Sequence, residues 1–425
     1  MLVLAAVALA GGAAAGGARE TFTVVYTVMI AADDPGVARV RWDLAGIDEV
    51  RRVRLRADPR RFSEFAASGR LEERADEVAW WPEGPYAHLT YRVALRQRHV
   101  PGKGFDSWAA ENWVLTRARD LFPAVSILLA TGVEPHAEAR ARLVLDLPAG
   151  WRALAALPSD GARSFVVESR ERFDRPRGWL LLGRVRDAEI TVGATRVQVA
   201  APAEVALDPA PILALARDAL PALENLLGPA PPAILIVLGP DPMWRGGIGG
   251  ARSFYMHAAR PLRTPDRTSP YLHELFHVLD PSRPADDALW VHEGLAEYYS
   301  LELQRRGGTL DEDAAARALR SFARTGLWGR DFTRSADFAL LTNSAPLVLW
   351  ALDRRIRAVT RERQGLDDVV RALAAEGGPM TTARFLGATR RVAGASFDAF
   401  FRRHVYRGEP PDLSALARPR PAPSP

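Results

Sequence analysis

The sequence predicts an α+β multidomain protein, with a β-sandwich-like N-terminal region followed by a mixed second half that ends in helices. Three observations carry this reading. Short runs rich in β-branched and aromatic residues recur between Arg19 and residue 202, separated by Gly, Pro and Asp clusters. Near residue 203 the pattern changes to apolar residues at helical spacing, followed by one continuous apolar run. From about Pro270 to Val405 helical patterns dominate. At 425 residues the chain also exceeds what a single compact core organises.

Taken in order, Leu2 to Ala10 is a short apolar run followed by a Gly/Ala stretch with an A-x-A-like site near Ala13 to Ala15. This predicts a signal peptide over residues 1–18 and an exported protein, periplasmic or secreted. The run is too short to span a bilayer, so no stable membrane span is expected. Residues 19–202 form the β-rich region, with strands expected at Thr21–Val28, Ala87–Leu95, Leu143–Asp146 and Thr195–Val199. A second domain is expected over 203–410. It opens with a helix in Val205–Leu227 and a buried strand at Ala233–Leu238. A Gly-rich turn at Gly246–Gly250 and an extended Arg252–Met256 follow. Residues 411–425, ending in the Pro/Ala/Ser-rich Pro419–Pro425, read as a disordered tail.

Composition excludes several classes. Hydrophobic residues make up 48% and charged residues 25%, as in ordinary globular proteins. The net charge of +5 comes from arginines spread among acids, so no basic stripe for nucleic acid is present. The absence of cysteine excludes disulfides, thiolate metal sites and a cysteine nucleophile. Trp80, Trp81, Trp108 and Trp113 are expected to pack the β region or its interface. Nothing in the sequence specifies an oligomeric state.

The chemistry lies in Tyr271–His277, which reads Y-L-H-E-L-F-H. Four residues apart on a helix, His273 and His277 share one face and can grip one ion at about 2.0–2.1 Å. Glu274 follows the first histidine and can reach the open coordination position as general base toward a water. A catalytic zinc site needs a third protein ligand, and Leu289–Tyr299 supplies Glu293. Glu297, one turn later on the same face, can accept the spare N–H of a ligating histidine. Two buried carboxylates one turn apart need a cation between them, and a zinc–histidine cluster provides it. One Zn2+ per chain is therefore expected.

W-V-H-E-G-L-A-E-Y-Y after H-E-L-F-H resembles the gluzincin zinc metallopeptidases, and within them most resembles the glycyl aminopeptidases of peptidase family M-sixty-one. Gly365–Leu373 and Ser396–Gly408 are similar to that family's helical domain. The resemblance implies a β-rich domain on a thermolysin-like catalytic domain with a helical lobe. It implies hydrolysis of peptide bonds in peptide or protein substrates, possible aminopeptidase action included. It also implies an edge strand, placed around Arg252 to Met256, that pairs with the substrate backbone.

The chain departs from that pattern in three places. Gly246–Gly250 has no acid where family members carry a glutamate for a substrate's free amine. Leu341–Val348 has no tyrosine where related aminopeptidases carry an oxyanion-stabilising one. The PDZ domain common in the family is not expected within these 425 residues. Gly247, Tyr255, His292, Tyr298 and Asn343 are the candidates for substrate or oxyanion contacts. An alternative reading is a catalytically degenerate zinc-binding module that captures peptides or regulates a partner.

Overall fold

The computed structural model describes residues 22–98, 104–130, 139–168 and 173–417, so the leader expected over 1–18 lies outside the described residues. Period-two alternation builds the N-terminal part. In Phe22–Ile30, the residues Phe22, Val24, Tyr26, Val28 and Ile30 face one core. This strand pairs in parallel with Ala139–Asp146 and antiparallel with Val37–Ala45, within a seven-stranded sheet. A four-stranded sheet through Val50–Arg56 and Glu77–Trp81 adds Val53, Leu55, Val78 and Trp80 to the same core.

A third sheet joins the two halves of the molecule. Trp113–Arg117 and Trp179–Gly183 are buried at every position, so both of their faces are covered. Val114, Leu180 and Leu182 point into the N-terminal core. Trp113, Leu115, Trp179 and Leu181 point the other way, onto Leu235, Val237 and Tyr255 of the next sheet. Trp113 also donates from Nε1 to Glu204 Oε1 at 2.7 Å.

That next sheet has five strands in the order Val185–Val192, Thr195–Pro202, Ala233–Gly239, Ser253–His257 and Gly247–Gly250. Helix α1 (Ala210–Leu227) makes the crossover between parallel neighbours Thr195–Pro202 and Ala233–Gly239. Two expectations change here. The strand near Thr195 belongs to this sheet rather than to the β-rich region ending at 202, because alternation shows that a strand exists but not what it pairs with. The edge of the sheet is Gly247–Gly250. Ser253–His257, which covers the extended segment read as the edge, is flanked on both sides.

The other face of the sheet carries Ile234, Ile236, Leu238, Phe254 and Met256 into a core shared with the helices. Helix α2 (Pro270–Leu279) starts at Ser269, whose hydroxyl accepts from Leu272 N–H at 3.4 Å, with Pro270 in the first turn. Helix α3 (Leu289–Arg306) crosses it, with the Phe276 and Tyr299 rings stacked at 5.5 Å. Trp290 anchors the start of α3. It is fully buried among Phe332, Phe385 and Phe401, and donates from Nε1 to Thr382 Oγ1 at 3.0 Å.

Helix α4 (Glu312–Thr325) follows, and a π-helical turn, Leu340–Ser344, leads into α5 (Ala345–Thr360). Gly294 lets α3 approach α5: a Cβ there would lie 2.9 Å from Ala345 Cβ and 3.0 Å from Leu349 Cδ1. The disordered tail expected from 411 is ordered at its start. Ser414–Ala417 is helical and buries Leu416 beside Leu319 and Phe322 of α4, apolar cover that composition alone did not reveal. Residues 418–425 lie outside the described residues.

Replacing Trp290 removes a large buried ring and the N–H that donates to the Thr382 hydroxyl, which keeps its own bond to the Asp287 carbonyl. Trp290→Ala is expected to cost about 3–5 kcal/mol in chemical denaturation, read as a lower unfolding midpoint.

Candidate active site

Helix α2 presents His273 and His277 one turn apart, toward α3. Their Nε2 atoms lie 3.1 Å from each other. Glu293 Oε2 of α3 is 3.3 Å from the first and 3.7 Å from the second. Donors at about 2.0–2.1 Å from a tetrahedrally held ion stand roughly 3.3 Å apart, so the three atoms fit one zinc. Among the described residues this is the group of histidine and acidic side chains that converges in that way.

The tautomers agree with ligation. His273 Nδ1 lies 2.9 Å from Glu297 Oε2, so it carries the proton there and turns an Nε2 lone pair toward the cluster. His277 lacks such a support: its Nδ1 is buried without a hydrogen-bond partner. It is held instead by stacking, with the His292 ring 4.1 Å away at 29°. His292 is in turn fixed by Nδ1 beside Asp280 Oδ2 at 3.2 Å, and Asp280 also accepts from the Ser282 N–H and hydroxyl. Asp280 caps the end of α2 and was not singled out in the sequence. The signal would have been an acid just past the second histidine.

Electrostatics follow from burial and pairing. Burial pushes His277 down to about 4, so its ring is neutral. Burial opposes ionisation of Glu293, but its hydrogen bonds with His273 and His277 outweigh it and hold the carboxyl far below its usual range. Burial also disfavours a charged His273, yet hydrogen bonds to Glu293 and Glu297 raise its proton affinity well above normal. The cluster thus calls for positive charge at His273 Nε2, whether a proton or a metal ion. Burial alone accounts for most of the rise of Glu274 to about 7.

Glu274 is buried under the edge strand. A Cβ on Gly247 would sit 2.5 Å from its Oε1, and one on Gly249 3.4 Å from its Oε2. The glycine run therefore makes room for the carboxylate, a role that spacing along the sequence did not disclose. Gly247 and His292 accordingly join the site. Two other candidates do not. Tyr255 is fully buried in the sheet, its ring tilted against Trp179 at 5.2 Å and its hydroxyl donating to the Trp244 carbonyl at 2.8 Å. Tyr298 points away from the histidines into a separate cleft of about 730 Å³, which it lines with Glu302, Arg306 and Trp350. Residues adjacent on a helix diverge by about 100°, so Tyr298 cannot share the face of Glu297. Leu341 is buried and Asn343 half-buried in the π-helical turn that packs on α3.

Fold and cluster together describe a β-rich domain joined to a helical part that carries a two-histidine, one-glutamate metal-site geometry. Comparison with solved structures finds the same α+β architecture in zinc metallopeptidases. An aminopeptidase N family protein from Idiomarina loihiensis superposes with a TM-score of 0.73 at 14% identity, covering 93% of this chain and 78% of that one. An M1 zinc metallopeptidase from Deinococcus radiodurans gives 0.59 at 17%, covering 95% and 96%. Aminopeptidase A from Legionella pneumophila, in complex with aspartic acid, gives 0.59 at 12%, and the chain spans half of its length. No family model matches the chain, and no curated protein matches its sequence.

Glu297 orients His273 from outside the three converging donors. Glu297→Ala is expected to weaken zinc binding about 10–100-fold, measured by competition with a chromophoric chelator.

Proposed function

We propose that the protein is a zinc-dependent peptidase in which His273, His277 and Glu293 hold one Zn2+ and Glu274 is the general base. The observation that carries this reading is the convergence of those three donors, with a buried carboxylate beside them under an open strand edge. Zinc held there would supply Lewis-acid polarisation of a carbonyl and an acidified water.

The chain's own residues supply the rest. Glu274, with its proton affinity raised toward neutrality, takes a proton from the attacking water and returns it to the departing amine nitrogen. The Gly247–Gly250 edge offers backbone N–H and C=O groups to an extended peptide. Glu297 and His292 keep the two imidazoles in ligating orientation. The strand carries no carboxylate to hold a free amine, so aminopeptidase action, the activity named for two of the structural neighbours, would rest on other contacts. The likeness to the M-sixty-one glycyl aminopeptidases and export to the periplasm or medium belong to the same proposal. They are supported by the W-x-x-E-G segment and by the apolar run Leu2–Ala10.

A zinc-binding module without catalysis would have no use for a carboxylate buried at Glu274. Burial makes that group costly, and the strand above it is cleared of side chains to admit it.

The test is metal content and cleavage of a mixed peptide library. The wild type is expected to carry one zinc per chain and to cleave, and His277→Ala to lose both. Glu274→Gln should keep zinc while cleavage falls about 10²–10⁴-fold. Zinc without cleavage in the wild type would refute the peptidase reading. Gly247→Ala drives a methyl into the Glu274 carboxylate, so it too should retain zinc, with kcat/KM down about a hundredfold.

A further inference from the structure

Away from the histidine cluster, a cleft of about 490 Å³ opens in the N-terminal sheets, where the strand Phe62–Ala67 begins beside the short helical turn Ala118–Leu121. The last carbonyls of such a turn have no partner within it and take donors from elsewhere. Arg61 supplies one, donating from Nη2 to the Asp120 carbonyl at 2.7 Å. Two residues on, the Phe122 carbonyl accepts from Arg175 Nη1 at 3.1 Å. Residues two apart stand at most about 7 Å from each other, so one short stretch of chain holds two guanidiniums at neighbouring points of the cleft.

Neither cation is neutralised there. A guanidinium carries five N–H donors, and a carbonyl takes one of them without bringing a full negative charge. No other hydrogen bond or ion pair engages Arg61 or Arg175 among the described residues, and Arg61 Nε is buried without an acceptor. Burial lowers the proton affinity of both side chains, and Arg117 acts on Arg61 in the same direction, as Arg119 does on Arg175. Two of the aspartates on the cleft wall are already engaged. Asp58 accepts from the Arg60 guanidinium at 2.8 Å and from its N–H at 3.0 Å, and Asp120 accepts from Arg117 Nε at 2.7 Å. Asp76 and Arg56 are both exposed at the rim. In all, five arginines and three aspartates line the cleft, which leaves two positive charges in excess.

We propose that this cleft binds a doubly charged oxyanion, a phosphate or sulfate group, with Arg61 and Arg175 as its inner contacts and Arg56 at the rim. A dianion matches the excess charge, whereas a single carboxylate would answer half of it. Guanidinium groups meet phosphate oxygens with paired, charge-assisted hydrogen bonds, which uses the donors that the two carbonyls leave open. The cleft is larger than a bare ion needs, so the group is either a free ion or the charged end of an organic molecule. None of these residues belongs to the histidine cluster, so the inference stands apart from the peptidase reading.

The experiment is calorimetric binding to the full chain at about pH 8, where phosphate is a dianion. Inorganic phosphate and glycerol 3-phosphate are the probes, with acetate as the singly charged control at equal ionic strength. The tighter of the two phosphate probes is expected to bind about tenfold better than acetate. Glycerol 3-phosphate binding tighter than inorganic phosphate names an organic carrier, and otherwise the free ion is the ligand. Arg175→Gln should weaken phosphate binding about tenfold. Arg56→Gln removes an exposed side chain and leaves the turn intact, and should weaken it about threefold. Arg355→Gln, the same change of net charge on α5, should leave it unchanged. If Arg175→Gln fails to fold, the comparison of Arg56→Gln with Arg355→Gln decides. Phosphate could also meet a metal ion, so His277→Ala is measured too and should bind phosphate as the wild type does. Binding lost in His277→Ala, phosphate no tighter than acetate, or an affinity that Arg56→Gln and Arg175→Gln both leave unchanged would overturn the proposal. Cleavage of peptides is scored separately and bears on neither outcome.

Discussion

Two carboxylates on α3 face two imidazoles on α2 in a largely shielded seam, and the helical part is arranged around that one fact. Each carboxylate costs several kcal/mol to desolvate unless positive charge meets it. Glu293 lies between the two Nε2 atoms and Glu297 behind His273, so their charge accumulates where the histidine lone pairs converge. A single proton on His273 answers only part of it. A divalent cation answers both carboxylates and uses all three inward donors.

Holding donors at 3.1–3.7 Å from one another demands helices fixed to tenths of an ångström. The packing around the seam supplies that. Phe276 lies flat on Tyr299, Gly294 lets α5 press against α3, and Trp290 pins the first turn of α3 to Thr382. Each of these residues is one or a few positions from a cluster residue, so packing and chemistry are set by the same short stretches. The edge strand meets a similar constraint. Glycine at 247 admits Glu274, and the glycines at 249 and 250 leave the strand without side-chain charge.

The histidine pair, Glu274, Glu293 and Glu297 were legible because helical periodicity converts sequence spacing directly into geometry. A turn of 3.6 residues places His273 over His277 and Glu293 over Glu297 wherever the helices lie. The same rule, applied fully, separates Tyr298 from Glu297 by a large angle about the helix axis. Strands were legible as strands for the same local reason. Their partners were not: the placement of Thr195–Pro202 beside Ala233–Gly239, and of Gly247–Gly250 at the edge, depends on hydrogen bonds between segments distant in sequence.

By itself, then, the sequence determined which faces are apolar, which side chains share a helical turn, and that a buried pair of carboxylates would need a cation. Those properties depend on residues within a turn or two of each other. Tertiary structure alone decided that Asp280 fixes His292, that His292 stacks on His277, and that glycine clears the space over Glu274. Each depends on where separate elements come to rest, which is set by the packing of the whole core and carries no local signature.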